Sequence, residues 1–307
     1  MNDDTAEYLR EIAVYYTILN RKSDDHRRAA TYKAAETVKA LTQRLDTASE
    51  AKALPGIGVS IAQTIEQFAQ HGDTSKLDEL KTLAGDARYT IDKFTSVYGI
   101  GVVTAMKFYQ AGYRNLEDIP IESLNTAQKI GLEFREEIAT KLHRSEVTAI
   151  YGNVHSVLQP HVHDIAVVGS YRRGKATSGD IDILVSSDTA VLSTLVDMLH
   201  DAGILSHDLA LGHTKYAGIT SAPHRRIDIR LVGTESYPCA LMYFTGSKDF
   251  NIVMRNRAKS MHLKLNEYYL TFDHDNTVVD ITKESDIFIA LDVDYVPPMD
   301  RVEGFTL

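Results

Sequence analysis

One stretch, VVGSYRRGKATSGDIDILV at residues 167–185, limits the possible folds of this chain more than any other. The apolar runs at its two ends are typical of strands, joined through Gly169-Ser170 and a polar connection. Since alternate residues of a strand face the same side, Asp180 and Asp182 are expected to project their carboxylates together. Two such carboxylates are costly to hold unless a cation lies between them. The stretch therefore predicts a sheet that carries a divalent-metal site.

A third carboxylate is expected from RRIDIRLV at 225–232. Its two isoleucines alternate with Arg226, Asp228 and Arg230, so the isoleucines face the core and the three charged residues share the opposite face. Two Mg²⁺ ions about 3.5–4 Å apart are the usual arrangement for phosphoryl transfer, with Mn²⁺ as a substitute. A lone Asp-x-Asp is more often part of a solvated edge strand. The joint presence of Gly-Ser, the spacing and the third aspartate favours a catalytic two-metal site.

The residues around these aspartates suit a triphosphate. Gly169-Ser170 and Arg173 follow the first strand and can cradle phosphate oxygens, because backbone N–H groups and a guanidinium both favour such anions. Gly179 lies directly before the second strand, where the lack of a Cβ atom allows the backbone to approach a ligand closely. A nucleoside triphosphate is therefore the predicted substrate.

Two segments in the first third of the chain resemble each other, LPGIGVSIAQTIEQF at 54–68 and VYGIGVVTAMKFYQAG at 97–112. In each, Gly-Ile-Gly precedes a helix that opens with small residues, an arrangement that suits a phosphate oxygen at a helix N-terminus. For a single copy, a glycine-rich connection between helices is an equally good explanation. The pair resembles the helix-hairpin-helix motif, which binds the DNA backbone without reading sequence. The glycines placed at the DNA backbone are Gly56, Gly58, Gly99 and Gly101.

The helix-hairpin-helix resemblance also implies a bound monovalent cation, Na⁺ or K⁺, at each hairpin. Backbone carbonyl groups would hold this cation. The residues implied are Leu54 and Ile57 in the first hairpin and Thr95, Val97 and Ile100 in the second.

The net charge of −9 does not exclude a nucleic-acid partner, because its distribution is uneven. Residues 273–307 hold nine Asp/Glu and two Lys/Arg, a balance of −7 that leaves −2 for the other 272 residues. Phosphate binding depends on local fields rather than on the total charge. Basic residues cluster at Arg21-Lys22, Arg27-Arg28 and Lys33, at Arg172-Arg173-Lys175, and at Arg225-Arg226-Arg230.

Length and composition narrow the class of protein. A chain of 307 residues is long enough for two to four packed units. Its single cysteine, Cys239, excludes an internal disulfide framework, and no Cys/His set has zinc-ligand spacing. The N-terminus, MNDDTAEYLREI, is acidic and lacks a long apolar run, so neither a secretory signal nor a membrane partner is expected. These features predict an intracellular protein.

The order of elements predicts the fold class. Residues 5–142 are almost entirely of helical pattern, with Tyr8, Ile12, Tyr15 and Tyr16 at helical spacing and an Ala-rich amphipathic run over 29–45. From about residue 164, short β-branched runs alternate with helical stretches, and KLNEYYLTF is among the strand-like segments. An all-α part followed by an α+β part is therefore expected.

With GSYRRG…SGDIDIL, PHRRIDIRL and MYFTGSKDFN in one chain, the sequence resembles the family X DNA polymerases, in particular their beta-like members, over about residues 8–304. The resemblance implies a helical domain with helix-hairpin-helix motifs followed by a nucleotidyltransferase-type polymerase domain. The implied divisions are a lyase-like helical DNA-binding domain at 1–83, a helix-hairpin-helix DNA-binding (fingers) subdomain at 84–143, a palm at 144–233 and a nucleotide-selecting C-terminal subdomain at 234–307.

The resemblance also assigns roles to single residues. Asp180 and Asp182 would hold both metals, and Asp228 would hold the catalytic metal and help to activate the primer 3′-hydroxyl. The residues implied in binding the incoming nucleotide are Lys141, Ser170, Arg173, Gly179, Tyr243, Phe244, Gly246 and Asn251. Those implied in binding DNA, besides the hairpin glycines, are Arg28, Lys215, Arg226, Arg230 and Arg255. Tyr243 to Gly246 would form the turn that crowds a ribose 2′-hydroxyl, although aromatic core packing also explains Tyr243-Phe244 taken alone.

The activity implied is template-directed filling of short gaps during DNA repair, such as base excision repair. A primer 3′-hydroxyl would attack the α-phosphate of a dNTP and release pyrophosphate. The expected partners are gapped or nicked double-stranded DNA and dNTP, bound by a monomer. The nucleus is the expected location in a eukaryote, and a viral or organellar origin stays open.

Two features depart from the best-known members of the family. Their N-terminal domain carries a deoxyribose-phosphate lyase, whose lysine forms a Schiff base with the abasic sugar. Thr64 and Ser60 occupy the positions of that lysine and of a phosphate-binding lysine, so the lyase is expected to be absent or weak. Lys33, Lys39 and Lys52 remain possible substitutes. The segment GITSAPH is also short, which argues for templated synthesis.

Other functions stay open on sequence alone. A template-independent terminal transferase or another nucleotidyltransferase would share the three aspartates. A non-catalytic DNA-binding scaffold would not need them, so three intact carboxylates make that alternative weak.

Overall fold

The computed structural model describes residues 2–19, 24–41 and 43–307, so the predicted basic pair Arg21-Lys22 lies outside the described residues. The chain divides into two compact units, Met1–Ser123 and Leu124–Leu307. Within the described ranges, no helix combines the length and the apolar character needed to cross a membrane.

The first unit is helical, as predicted. Its helices are α1 (Asp3–Leu19), α2 (Asp25–Lys39), α3 (Ala48–Lys52), α4 (Val59–His71), α5 (Ser75–Ala84), α6 (Ala87–Thr95) and α7 (Val102–Gln110), followed by 3₁₀ turns at Leu116–Asp118 and Ile121–Ser123. The helical spacing of Tyr8, Ile12, Tyr15 and Tyr16 is confirmed, because all four are buried on one side of α1.

Helix α2 is shorter than predicted, since it ends at Lys39 rather than continuing to residue 45. Beyond that end, the side-chain amide nitrogen of Asn2 donates to the Gln43 carbonyl oxygen at 2.8 Å. The side-chain oxygen of Asn2 accepts a hydrogen bond from the Leu45 backbone N–H at 3.0 Å. Asn2 and Leu45 are both buried. This long-range contact fixes a non-helical path, which local periodicity does not reveal.

The two Gly-Ile-Gly segments adopt the same backbone conformation. Gly56 and Gly99 have left-handed φ angles of 85° and 83°. Gly58 and Gly101 then cap α4 and α7 with φ/ψ of −84°/171° and −82°/170°, and neither helix start has a side-chain cap. The predicted repeat is therefore confirmed as a structural repeat, in which both helix N-termini lack a side-chain cap.

The second unit contains all the strands of the described chain. Its elements are α8 (Thr126–Glu133), α9 (Arg135–Ala139), β1 (Leu142–His143), α10 (Arg144–Leu158), β2 (Asp164–Val167), α11 (Gly169–Arg172), β3 (Thr177–Ser178), β4 (Ile181–Ser186), α12 (Leu192–Asp201), β5 (Leu205–Leu211), β6 (Lys215–Thr220), β7 (Arg226–Val232), α13 (Tyr237–Thr245), α14 (Lys248–Ser260), β8 (Leu263–Leu265), β9 (Leu270–Phe272) and α15 (Glu284–Ala290). Short 3₁₀ turns lie at Gln159–His161, Thr234–Ser236 and Pro298–Asp300.

Five strands form one sheet in the order β2-β4-β7-β6-β5. Strands β4 and β7 are parallel neighbours, and the other pairs are antiparallel. One face carries the main core, in which Ile181, Ile183, Ile227 and Ile229 pack with apolar residues of α10 and α12. The alternation predicted for β4 and β7 is thus confirmed, and it leaves the aspartates on the other face.

The strand-like run KLNEYYLTF forms a hairpin rather than one strand. Its ends are β8 and β9, which pair antiparallel with Leu265 opposite Leu270. The Asn266 side chain accepts hydrogen bonds from the backbone N–H groups of Tyr268 and Tyr269, both at 2.8 Å. That side chain stabilises the reversal, because asparagine readily closes a tight turn onto its own backbone.

Candidate active site

Three aspartates meet where β4 and β7 begin. The register of the parallel pair places Asp182 directly opposite Asp228. Asp180, one residue before β4, faces the same side as Asp182. One carboxylate oxygen from each of the three residues lies within 4.8 Å of the others, and all three side chains are half-buried. The arrangement predicted from the Asp-x-Asp pattern and RRIDIRLV is present.

The electrostatics of this cluster reflect crowded negative charge. Burial, together with the carboxylates of Asp180 and Asp228, raises the pKa of Asp182 to about 7. The pKa of Asp180 is raised by burial as well, and the charge of Asp228 adds to this effect. Arg226 offsets part of the charge, since its guanidinium lies 2.6 Å from Asp228 and 3.6 Å from Asp180.

The donor set fits a divalent cation. All three candidate ligands are carboxylates, the hard oxygen donors that Mg²⁺ and Mn²⁺ take. A carboxylate that is costly to ionise by itself is ionised readily when a cation binds beside it. The burial and the neighbouring carboxylates that raise the pKa of Asp182 would favour binding of a cation among the three side chains.

Gly169 leaves the space that the Asp182 carboxylate occupies. A Cβ atom at residue 169 would lie 2.0 Å from Oδ2 of Asp182. Gly169 also has a left-handed φ of 57°, a conformation that residues with a Cβ adopt only with strain. A side chain at this position would therefore displace a candidate metal ligand.

The predicted triphosphate residues lie around the short β1–β3 pair. Leu142 pairs with Ser178. Lys141, which precedes β1, and Gly179, which follows β3, therefore lie at the same end of that strand pair. Ser170 donates a hydrogen bond to Ser178 at 2.9 Å, which brings it to the same strand. Space is open around Gly179, where a Cβ atom would have no neighbour within 4 Å.

The predicted sugar-facing turn, Tyr243 to Gly246, forms the C-terminal end of α13, and we call it the 243–246 turn. The rings of Tyr243 and Phe244 meet edge to face, with 5.1 Å between centroids. The Arg230 guanidinium lies 5.3 Å from the Phe244 ring centroid. Both aromatic side chains are half-buried, and Phe244 also packs against the buried cluster of Val168, Leu184, Val232 and Ala240.

Two of the predicted nucleotide ligands bond to this turn. Arg173 donates a hydrogen bond to the carbonyl oxygen of Thr245 at 2.6 Å. The amide nitrogen of Asn251 donates to the carbonyl oxygen of Tyr243 at 2.7 Å. The Asn251 side-chain oxygen is buried and accepts no hydrogen bond within the described part of the chain.

A buried ionic network was missed by the sequence analysis, which grouped Arg172 with Arg173 as phosphate-facing charge. Arg172 instead donates to both carboxylate oxygens of Glu284, at 3.0 and 2.8 Å, and to the Thr245 hydroxyl at 2.7 Å. Arg301, which is completely buried, donates to the same carboxylate at 2.6 Å. The Arg-Arg pair was the signal in the sequence, and it does not show that only Arg172 bonds to Glu284 while both arginines bond to Thr245.

The network joins the segment after β2, the 243–246 turn and α15. Burial by itself raises the pKa of Glu284, but hydrogen bonds from Arg172 and Arg301 outweigh it and leave the pKa below the ordinary glutamate value. Three aromatic rings surround the Arg301 guanidinium, with centroids at 4.8, 5.4 and 5.8 Å; they belong to Phe250, Phe288 and Tyr295.

The remaining predicted DNA contacts lie in several places. Arg28 is half-buried on α2 and lies 3.7 Å from Asp25. Lys215 is exposed at the start of β6, and Arg255 is exposed on α14, where it donates to the Asn251 carbonyl at 3.3 Å. The structure also places Arg226, predicted to contact DNA, within the carboxylate cluster.

Family models match most of the chain in the order that this architecture suggests. A helix-hairpin-helix domain matches residues 1–74, and a fingers domain of DNA polymerase lambda matches 92–139. A DNA polymerase beta palm matches 141–234, and a DNA polymerase beta thumb matches 240–302. DNA polymerase lambda from Rattus norvegicus is 31% identical over 323 aligned residues, which cover 96% of this chain. The chain belongs to the family X DNA polymerases.

Other relatives of this family X chain agree. DNA polymerase lambda from Arabidopsis thaliana is 31% identical over 87% of the chain, and a DNA nucleotidylexotransferase from Xenopus laevis is 27% identical over 90%. The family X chain covers 55%, 54% and 64% of the rat, Arabidopsis and Xenopus proteins, so it spans about half the length of the lambda relatives. The predicted family and its order of helix-hairpin-helix, fingers, palm and thumb regions are confirmed.

Proposed function

We propose that this family X chain is a template-directed DNA polymerase that fills short gaps in DNA repair. It transfers a nucleotide from dNTP to a primer 3′-hydroxyl and releases pyrophosphate. The observation that carries the proposal is the meeting of Asp180, Asp182 and Asp228 on neighbouring parallel strands, with candidate phosphate ligands beside them. Three carboxylates in this geometry are of little use to a protein that only binds DNA.

Two Mg²⁺ ions are the proposed cofactors, and Mn²⁺ can replace them. Asp180 and Asp182 would hold both ions, and Asp228 would hold the one nearer the primer. When bound, such ions neutralise the charge that develops as the phosphoryl group transfers. Na⁺ or K⁺ is proposed at each hairpin, on backbone carbonyls of Leu54, Ile57, Thr95, Val97 and Ile100.

The chain's own residues mainly position the substrates. Lys141, Ser170, Arg173 and the backbone at Gly179 bind the triphosphate. Asp228 would help to activate the primer 3′-hydroxyl by accepting its proton, and its carboxylate would then exchange the Arg226 contact for the primer and cation. The 3′-oxygen then attacks the α-phosphate in line, with pyrophosphate as the leaving group.

Double-stranded DNA with a gap or nick is the proposed partner, bound by a monomer. The hairpin glycines Gly56, Gly58, Gly99 and Gly101 would admit backbone phosphates, since both helix starts lack side-chain caps. Arg28, Lys215, Arg226, Arg230 and Arg255 are the proposed side-chain contacts. The unpartnered oxygen of Asn251 suits a hydrogen-bond donor on a nucleobase edge.

Primer extension tests the proposal. The substrate is a duplex with a one-nucleotide gap and a 5′-phosphate, supplied with Mg²⁺ and one dNTP at a time. Template-matched addition that is lost in Asp228→Ala and absent on a single-stranded primer is the expected result. Addition of all four nucleotides regardless of template, or none at all, would contradict the proposal.

A template-independent transferase is the second candidate, because one relative is named DNA nucleotidylexotransferase. The connection between β6 and β7 argues against it. This connection is short and held in place, since the Arg225 backbone N–H bonds to the Thr220 hydroxyl at 2.9 Å and the Arg225 side chain bonds to Glu146 at 2.9 Å. The single-stranded primer in the same assay separates the two candidates.

Replacement of Gly169 by alanine is expected to reduce gap filling by about a hundredfold while the protein stays folded. The new Cβ atom would overlap Oδ2 of Asp182, and a misplacement of about 1 Å at a reacting centre is enough for such a loss. Gly152→Ala is the matched control, because no atom lies within 4 Å of its Cβ position. Equal activity of the two variants would refute this use of Gly169.

Deoxyribose-phosphate lyase activity is expected to be absent or weak. Thr64 is hydrogen-bonded to the Ser60 carbonyl at 3.0 Å, and neither hydroxyl can form an imine. Borohydride trapping on a 5′-deoxyribose-phosphate substrate should give no covalent adduct above background. If an adduct forms, Lys33→Ala is the first variant to compare, because the Lys33 side chain lies about 3.5 Å from the Cβ position of Gly56 in the first hairpin.

The proposal includes domain boundaries near residues 83, 143 and 233. It also includes an intracellular location, which would be the nucleus in a eukaryote. Limited proteolysis that releases a fragment ending near residue 83 would support the first boundary.

A further inference from the structure

The 243–246 turn is held by side chains from two other elements. Arg173, just after α11, donates to the Thr245 carbonyl at 2.6 Å, and Asn251 of α14 donates to the Tyr243 carbonyl at 2.7 Å. Carbonyl groups in the last turn of a helix have no partner within that helix, so outside donors can fix the end in place. The main chain of this turn is therefore positioned by Arg173 and Asn251.

Both residues keep hydrogen-bonding capacity for a ligand. A guanidinium has five N–H donors, and Arg173 uses one nitrogen on Thr245. Asn251 is 8% exposed, and its side-chain oxygen has no partner among the residues described. The Tyr243 carbonyl can only accept, so the Asn251 amide nitrogen must face it and the oxygen must face away. Each residue can therefore hold the turn and the incoming nucleotide at once.

The turn also packs closely against Arg173. A Cβ atom at Gly246 would lie 3.3 Å from the Arg173 guanidinium, and Gly246 has a left-handed φ of 67°. The Thr245 hydroxyl accepts a further hydrogen bond from Arg172 at 2.7 Å. Side chains on both sides of the turn thus limit its movement.

We propose that Arg173 and Asn251 are positioning residues for sugar selection, which fix the 243–246 turn where its main chain excludes a nucleotide 2′-hydroxyl. The inference rests on the proposed function and adds to it. Exclusion by a main chain depends on where that main chain lies, so a small shift of the turn would admit the hydroxyl. Loss of either hydrogen bond should therefore increase the use of ribonucleotides.

The test compares the efficiency of dNTP and rNTP addition at a one-nucleotide gap in Arg173→Lys and Asn251→Asp. A contact with the triphosphate or the base is common to both substrates, so its loss lowers both efficiencies equally and leaves their ratio unchanged. Loss of a bond to the turn should lower the dNTP/rNTP ratio by about five- to tenfold, the worth of one hydrogen bond. In Arg173→Lys, the lysine keeps the positive charge but lacks the planar set of N–H donors that a guanidinium has.

Arg257→Lys is the matched control. Arg257 lies on the same helix as Asn251 and also donates to a main-chain carbonyl, that of Leu291 at 2.8 Å, but it does not touch the turn. Its dNTP/rNTP ratio should equal that of the wild type. A series of 2′-fluoro, 2′-hydroxy and 2′-amino nucleotides adds a second readout, since these groups increase in size in that order and a loosened turn should admit progressively larger ones.

The outcomes separate this inference from the proposed function. Folded variants that keep the wild-type ratio would overturn the inference alone, even if both efficiencies fell. A wild-type protein that adds no dNTP would overturn the proposed function and the inference together. Circular dichroism establishes folding of each variant, and either variant that is folded suffices for the decision.

Discussion

Replacement of Asp182 by asparagine is expected to abolish nucleotide addition and to stabilise the metal-free protein. Loss of a shared metal ligand should cost at least about a thousandfold in rate, because metal ions supply several kcal/mol of transition-state stabilisation. The same change removes a crowded, half-buried charge. In chelator at pH 8, we expect a gain of about 2 kcal/mol in the free energy of unfolding.

The gain should depend on pH in a defined direction. Because the folded-state pKa of Asp182 is raised to about 7, from an ordinary value of 3.8, the wild type carries the cost of ionisation fully only above pH 7. The difference between variant and wild type should therefore shrink as the pH falls through 7 toward 4. Thermal melts followed by circular dichroism in chelator measure it, and added Mg²⁺ should stabilise the wild type more than the variant.

Asp197→Asn is the control, since Asp197 is an exposed aspartate of α12 away from the cluster. It should change neither activity nor melting temperature. An Asp182→Asn protein that is less stable than the wild type in chelator would show that the carboxylate is held by favourable contacts rather than by a cation.

Glu284→Ala should destabilise the second unit by about 3–5 kcal/mol, the usual cost of removing one partner from a buried ionic network. Arg301 is completely buried, and its charge would then face only three aromatic rings and backbone. Arg172 would lose its carboxylate too and hold Thr245 less firmly, so gap filling should also fall. Urea unfolding followed by circular dichroism gives the stability, because the chain has no tryptophan.

A second variant distinguishes lost charge pairing from lost packing. Arg301→Met in the Glu284→Ala background removes the buried charge that the first change left unpaired, so the double variant should be no less stable than Glu284→Ala alone. Additive losses would contradict the network. Glu235→Ala, at an exposed glutamate, should be neutral.

The local part of the site was predictable from the sequence. Alternation of apolar and charged residues in RRIDIRLV placed Asp228 opposite the core face, and the structure agrees because Ile227 and Ile229 are fully buried. The pairing of β4 with β7 was not readable from either segment. Strand order depends on how the intervening residues fold, and it is this order that sets Asp182 opposite Asp228.

The adjacent residues Arg172 and Arg173 illustrate contacts that cannot be predicted from the local sequence. Arg172 and Arg173 have the same chemistry and nearly the same sequence context, and both bond to Thr245 of the 243–246 turn, yet only Arg172 also bonds to Glu284, 112 residues away. Nothing near Arg301 in the sequence signalled a completely buried guanidinium, because its carboxylate partner and most of its aromatic neighbours come from other elements. Whether such a charged side chain is buried depends on polar partners that are distant in the sequence. These partners produce no periodic pattern that a sequence analysis could detect.

The parallel pairing of β4 and β7 has a consequence for synthesis of the protein. Strand β2 can meet β4 soon after both leave the ribosome, whereas β7 follows only after α12, β5 and β6 have been made. Such non-local pairing forms late, since the long connection must be ordered first. A nascent chain that has not yet reached residue 228 therefore carries Asp180 and Asp182 without the third aspartate, so a fragment that stops there would lack one of the three proposed metal ligands.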